Sequence, residues 1–120
     1  MVRSPAKSLA CPPKTPLAKR KPLSSDQADG LEELFKVLAN GTRLRMLHAL
    51  AREGELCVND LAAGVGMKVQ AVSNQLRRLV ARRIVATRRD GVMVFYRIVD
   101  PCVPVLLDRG LCLLEDNGRL

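Results

Sequence analysis

Between Val58 and Ile98 the chain changes its hydrophobic period, and the order of the segments admits few folds. Val58 to Ala63 reads as a short helix ended by Gly64-Val65-Gly66, and a longer helix runs from about Lys68 to Arg82. In the longer helix Val69, Val72, Leu76, Leu79 and Val80 fall on one side, while Gln70, Ser73, Asn74, Arg77 and Ala81 fall on another. Two β-rich runs follow, Ile84 to Arg88 and Val92 to Ile98. Between them lies Arg89-Asp90-Gly91, whose Asp-Gly pair is a strong hairpin turn signal. Helix, turn, helix and hairpin in this order predict a helix-turn-helix with a β wing.

The flanks are helical. Ser25 is a plausible N-cap for a helix carrying Leu31, Leu34, Phe35 and Leu38 at helical spacing. Asn40-Gly41 stops that helix, and Thr42 can cap a second one in which Leu44, Leu47, His48 and Leu50 continue an apolar face to about Arg52, before Gly54. Asp100-Pro101 is a good helix start, and Val103 to Leu114 then gives a last helix too apolar to lie alone on a small surface. The expected fold class is mainly α with a β-hairpin wing, a winged helix-turn-helix, and dimeric.

Charge separates the chain into parts. Residues 1–23 hold five of the seven prolines and six basic residues without an acid, which predicts a disordered basic arm ahead of a folded domain over 24–120. The segment from Lys68 to Arg97 carries eight basic residues against the single acid Asp90, while the remainder of the folded part is net acidic. A formal charge of +8 makes polyanions the natural partner. Both nucleic acid and an anionic membrane surface satisfy charge alone, and the helix-turn-helix favours DNA. No apolar stretch approaches the roughly 20 residues that cross a bilayer, and Met1 to Lys21 has no apolar block like that of a secretory signal, so a cytoplasmic location is expected. One histidine, His48, and no grouping of nucleophile, base and acid leave an enzyme the least supported class. Four cysteines, Cys11, Cys57, Cys102 and Cys112, form no CxxC pair, and in a reducing compartment they are thiols or metal ligands.

Three segments, Leu38-Ala-Asn-Gly-Thr-Arg-Leu-Arg-Met-Leu47, Glu55-Leu-Cys-Val-Asn-Asp-Leu-Ala62 and Ala71-Val-Ser-Asn-Gln-Leu-Arg-Arg-Leu79, together resemble the ArsR/SmtB metal-sensing repressors. The likeness covers about residues 31–116. It departs from the family pattern at Asn40-Gly41, where Asp-Pro is usual, at Arg83, where Gly commonly follows the recognition helix, and at Asn59, where the family's cadmium and lead sensors carry a second cysteine.

The resemblance implies a homodimer, joined through its first and last helices, that binds operator DNA and releases it when an inducer ion binds. With the helix from Lys68 in the major groove, Gln70, Ser73, Asn74 and Arg77 reach base edges, Lys68 and Gln75 contact the backbone, and Arg88 and Arg89 at the wing tip meet phosphates or a minor groove. The family places one class of inducer site across the paired last helices, near Asp100, Cys102, Cys112 and Glu115 or Asp116. If those helices pair antiparallel about Leu107, Cys102 of one chain lies beside Cys112 of the other, and Gly110 permits close approach. A second candidate joins Cys57 to Cys11 of the arm, as in the family's cadmium sensors. Thiolates select soft ions. A site of two thiolates suits mercury(II) best, ahead of arsenite and of cadmium or lead, and a repressor that responds to oxidation of its thiols is the alternative.

Overall fold

Apolar stripes and caps build the elements in the expected order. A computed structural model describes residues 15–118. After a 3-10 turn at Leu17–Lys19 come α1 (Ser25–Leu38), α2 (Gly41–Glu53), β1 (Leu56–Cys57), α3 (Val58–Val65), α4 (Val69–Ala81), β2 (Val85–Asp90), β3 (Met93–Ile98) and α5 (Cys102–Asp116). Most of the expected basic arm, with Cys11, lies outside the described residues.

Two helix starts differ from expectation by a residue or two. Ser24, not Ser25, caps α1, because only Ser24 has a glutamine at the third helical position. Its Oγ accepts the Gln27 N–H at 3.1 Å and the Gln27 Oε1 accepts the Ser24 N–H at 3.1 Å. Asn40, not Thr42, caps α2 by accepting the Arg43 N–H at 3.0 Å. At α5 the Asp100 carboxylate accepts the Cys102 N–H at 2.9 Å from one residue before the Pro101 cap position.

The sheet is three-stranded and antiparallel, in the order β1-β3-β2. The short β1, which pairs Leu56 with Tyr96 and Cys57 with Phe95, is too brief to show an alternating pattern. The hairpin turn also sits one residue later than the Asp-Gly signal suggests. Asp90 still pairs with Met93, leaving Gly91-Val92 as the loop, with Gly91 at φ 63° supplying the left-handed conformation of its first position.

The core is one cluster to which α2, α3, α4, the wing and α5 all contribute. Val72, Leu76 and Leu79 of α4 are fully buried in it, together with Met46, Leu47 and Leu50 of α2, Leu61 of α3, and Ile84 and Val85 at the start of the wing. Burial of each such side chain stabilises the fold by about 1.5–3 kcal/mol. Val69, expected on this apolar side, is instead 42% exposed at the first turn.

Arg83 directly follows α4 and has φ 60°, the only non-glycine residue with positive φ among those described. The chain must reverse there to enter β2, which explains why the family pattern has glycine at this point. For an L-residue the left-handed region costs about 1 kcal/mol. Arg83→Gly is therefore expected to stabilise the fold by about 0.5–1 kcal/mol, read as a higher urea midpoint with unchanged slope.

Candidate functional site

With its apolar side locked in the core, α4 presents the opposite side to solvent. Lys68, Gln70, Asn74 and Arg77 are exposed and Ser73 is half-buried, so these five of the sequence-predicted contacts share one outward surface. Gln70 Nε2 donates to Asn74 Oδ1 at 3.3 Å, one turn along the helix, which aligns the two amides. No acid lies on α4, and its C-terminal half adds Arg78 with Arg82 at the cap.

Gln75 turns away from this group. Its Oε1 accepts the Arg43 Nε–H at 2.8 Å, while Arg43 Nη1 donates to the Val37 carbonyl at 2.6 Å. Arg43 is 9% exposed and is the only buried charged residue among those described. No carboxylate faces it in these contacts. The carbonyl end of α1 and the Gln75 amide offset its charge instead, so it fastens the end of α1 to the middle of α4. Sequence reasoning passed over Arg43, although it precedes Met46, Leu47 and Leu50 at core spacing and so carries a charge on an apolar stripe.

Arg88 and Arg89 also part company. Neither lies in the loop itself. Arg88 is opposite Phe95 and Arg89 opposite Val94, and neighbouring strand residues point to opposite faces. Arg88 forms a two-pronged ion pair with Glu55, Nη2 to Oε1 at 2.7 Å and Nε to Oε2 at 3.1 Å, with its guanidinium 4.6 Å from the Phe95 ring centre. The hydrogen bond from Arg88 holds the Glu55 carboxyl below its usual pKa, with Arg97 adding to the effect. Arg89 is exposed and makes no ion pair among the described residues.

The cysteines are dispersed. Cys57, in β1 beside Phe95 of β3, is 4% exposed. Cys112 is exposed and Cys102 is half-buried in the first turn of α5. Cys57 and Cys112 are free thiols, and Cys102 is disulfide-bonded. Ten residues along a helix separate Cys102 and Cys112 by about 15 Å, too far to share an ion within one chain, but place them within about 80° of each other around the axis. No group of three or more potential metal ligands exists among the described residues.

α5 also borders an apolar groove of about 550 Å³, lined by Phe35, Leu38, Leu44, Leu107, Leu111 and their neighbours, with His48 and Arg45 among its polar lining. Phe35, Leu44, Leu106 and Leu111 remain 37–49% exposed. No helix among the described residues is long and apolar enough to cross a membrane.

Residues 40–87 match the model of the bacterial regulatory protein family arsR. A SmtB-homologous transcriptional repressor of Synechocystis is 49% identical over 65% of this chain and 58% of its own length, so the match spans little more than half of that relative. The crystal structure of AntR, an antimony-specific transcriptional repressor, superposes with a TM-score of 0.78 at 58% identity, covering 92% of this chain and all of the other. The chain belongs to the arsR family. This ArsR/SmtB member is a winged helix-turn-helix transcription regulator of a metal-responsive repressor group, not an enzyme. A homodimeric winged helix-turn-helix domain from Mycobacterium bovis shares the fold, with a TM-score of 0.67 and 32% identity, covering 79% of this chain and 90% of that one.

The two kinds of polar residue on α4 separate by stability. Gln75→Leu strips a buried guanidinium of one acceptor and is expected to cost about 1.5–3 kcal/mol in urea unfolding. Asn74→Ala, on the outward surface, is expected to stay within about 0.5 kcal/mol.

Proposed function

We propose that the protein is a homodimeric operator-binding repressor that a soft ion, captured by cysteine thiolates on α5, releases from DNA. The outward face of α4 supports the first half. Gln70, Ser73, Asn74 and Arg77 are the base readers, the amides suited to adenine and the guanidinium to guanine, with Lys68 and Arg89 on the phosphates. Gln75, whose Oε1 accepts from the buried Arg43, is left out of the group that meets DNA. One such helix reads only a few base pairs, so two copies on a two-fold operator give the affinity a repressor needs.

The dimer reading rests on the apolar surface left open by α1, α2 and α5, which a second copy buries. Antiparallel pairing of two α5 helices about Leu107 brings Cys102 of one protomer to Cys112 of its partner. Cys57 is a poorer ligand, because an ion must first open the packing around it. Its expected companion Cys11 lies outside the described residues.

The likeness to the antimony-specific repressor brings antimony(III) to the front, with arsenite as its lighter congener. Mercury(II) remains the second reading, carried by the count of two thiolates per site. Capture requires reduced Cys102, and the disulfide at that sulfur gives thiol oxidation a footing as a further trigger. Derepression follows by linkage. An ion that binds better to the dimer shape unsuited to DNA weakens operator affinity by the same factor.

Operator titrations of phosphine-reduced protein with antimony(III), arsenite, mercury(II), cadmium, lead and zinc test both parts. Antimony(III) is expected to lower operator affinity by about 5- to 150-fold. The response should vanish in Cys102→Ser and Cys112→Ser and persist in Cys57→Ser. Release by mercury(II) alone would favour the second ion. Release that survives in both α5 variants would remove the site from that helix.

A further inference from the structure

The wing carries an arginine that it does not offer to DNA. We propose that Glu55 acts as an internal stand-in for a DNA phosphate, withholding Arg88 from the operator and setting affinity below what the wing's arginines would otherwise give. The proposal rests on the DNA-binding reading above and adds a control on its strength.

The geometry of the clasp is that of phosphate recognition. Two carboxylate oxygens meet two guanidinium nitrogens at 2.7 and 3.1 Å, the fork that a phosphate would present. Phe95 supports the guanidinium from one face at 4.6 Å, which fixes its plane for the two-pronged contact. The sheet explains how residues 33 positions apart meet. β3 lies between β1 and β2, with Phe95 opposite both Cys57 and Arg88, so Glu55 enters from the β1 side and reaches across. Arg97 adds to the attraction on Glu55 and favours its charged form. Asp90 is a lesser partner, with one contact of 3.9 Å to Arg88 Nη1.

Nothing in the fold requires this pair. Side-chain exposures of 31% for Glu55 and 47% for Arg88 place it at the surface, where ion pairs contribute little to stability. Its consequence falls on binding. While Glu55 holds Arg88, one cation of the basic 68–97 segment is neutralised, and a carboxylate stands on the wing that approaches a polyanion.

The test uses the full chain and a labelled duplex that the wild-type protein selects from a random-sequence pool, titrated over a range of salt concentrations. Glu55→Gln keeps the side-chain shape, and thermal melting verifies that it is folded. Each additional phosphate neutralised steepens the plot of log affinity against log salt by about 0.9, and one added contact is expected to tighten binding about three- to tenfold at 0.1 M salt. Glu55→Gln should show both changes. Arg88→Gln alone unpairs the Glu55 carboxylate and should weaken binding only slightly while leaving the slope in place, and Glu55→Gln should gain clearly less in the Arg88→Gln background than in the wild type.

Weaker or unchanged binding by Glu55→Gln would overturn the proposal. So would a shallower slope in Arg88→Gln alone, which would place Arg88 on DNA already. An equal gain from Glu55→Gln with and without Arg88 would also overturn it, since simple removal of a negative charge would then account for the effect. If the wild-type chain binds no duplex at low salt, the DNA-binding reading fails and this proposal with it.

Discussion

The packing of Val72, Leu76 and Leu79 into the core is the contact on which the other features depend. Three side chains one turn apart fix the rotation of α4 about its axis, and that rotation decides which residues face outward. A different angle would bury Asn74 or expose Leu76. Because the same core holds α2, α3 and the base of the wing, the outward face of α4 and the hairpin are parts of one rigid surface. A rigid surface loses little freedom on meeting a duplex, so more of its contact energy is retained as affinity.

Charge is distributed to match. The basic segment from Lys68 to Arg97 coincides with α4 and the wing, whereas the helices that border the apolar groove belong to the net acidic remainder. One chain thus has a polar cationic face and an apolar face, each suited to a different partner. Arg43 spans the distance between them. It lies at the junction of α1, which borders the groove, and α4, which bears the polar face, and its burial makes any rearrangement between those helices costly.

Much of this was legible in the sequence. Helix positions, the glycine breaks and the existence of the hairpin followed from periodicity and turn chemistry, because those signals are local. What escaped depended on tertiary contact. The two-residue β1 exists only because β3 runs beside it. Ser24 takes the cap from Ser25 through the Gln27 side chain, a choice that adjacent serines do not disclose by composition. Gln75 and Arg88 looked like surface residues of the same kind as Asn74 and Arg89, and only their distant partners Arg43 and Glu55 set them apart. The polar residues of α4 could be named in advance, but the division of labour among them could not.

The central claim is that two copies meet through α5 in the register that joins Cys102 to Cys112. The most direct measurement is oxidative cross-linking of a Cys11→Ser, Cys57→Ser variant, followed by peptide mapping. The account predicts a covalent dimer whose linked peptides join Cys102 of one protomer to Cys112 of its partner. A chain that stays monomeric, or links only Cys112 to Cys112, would contradict it.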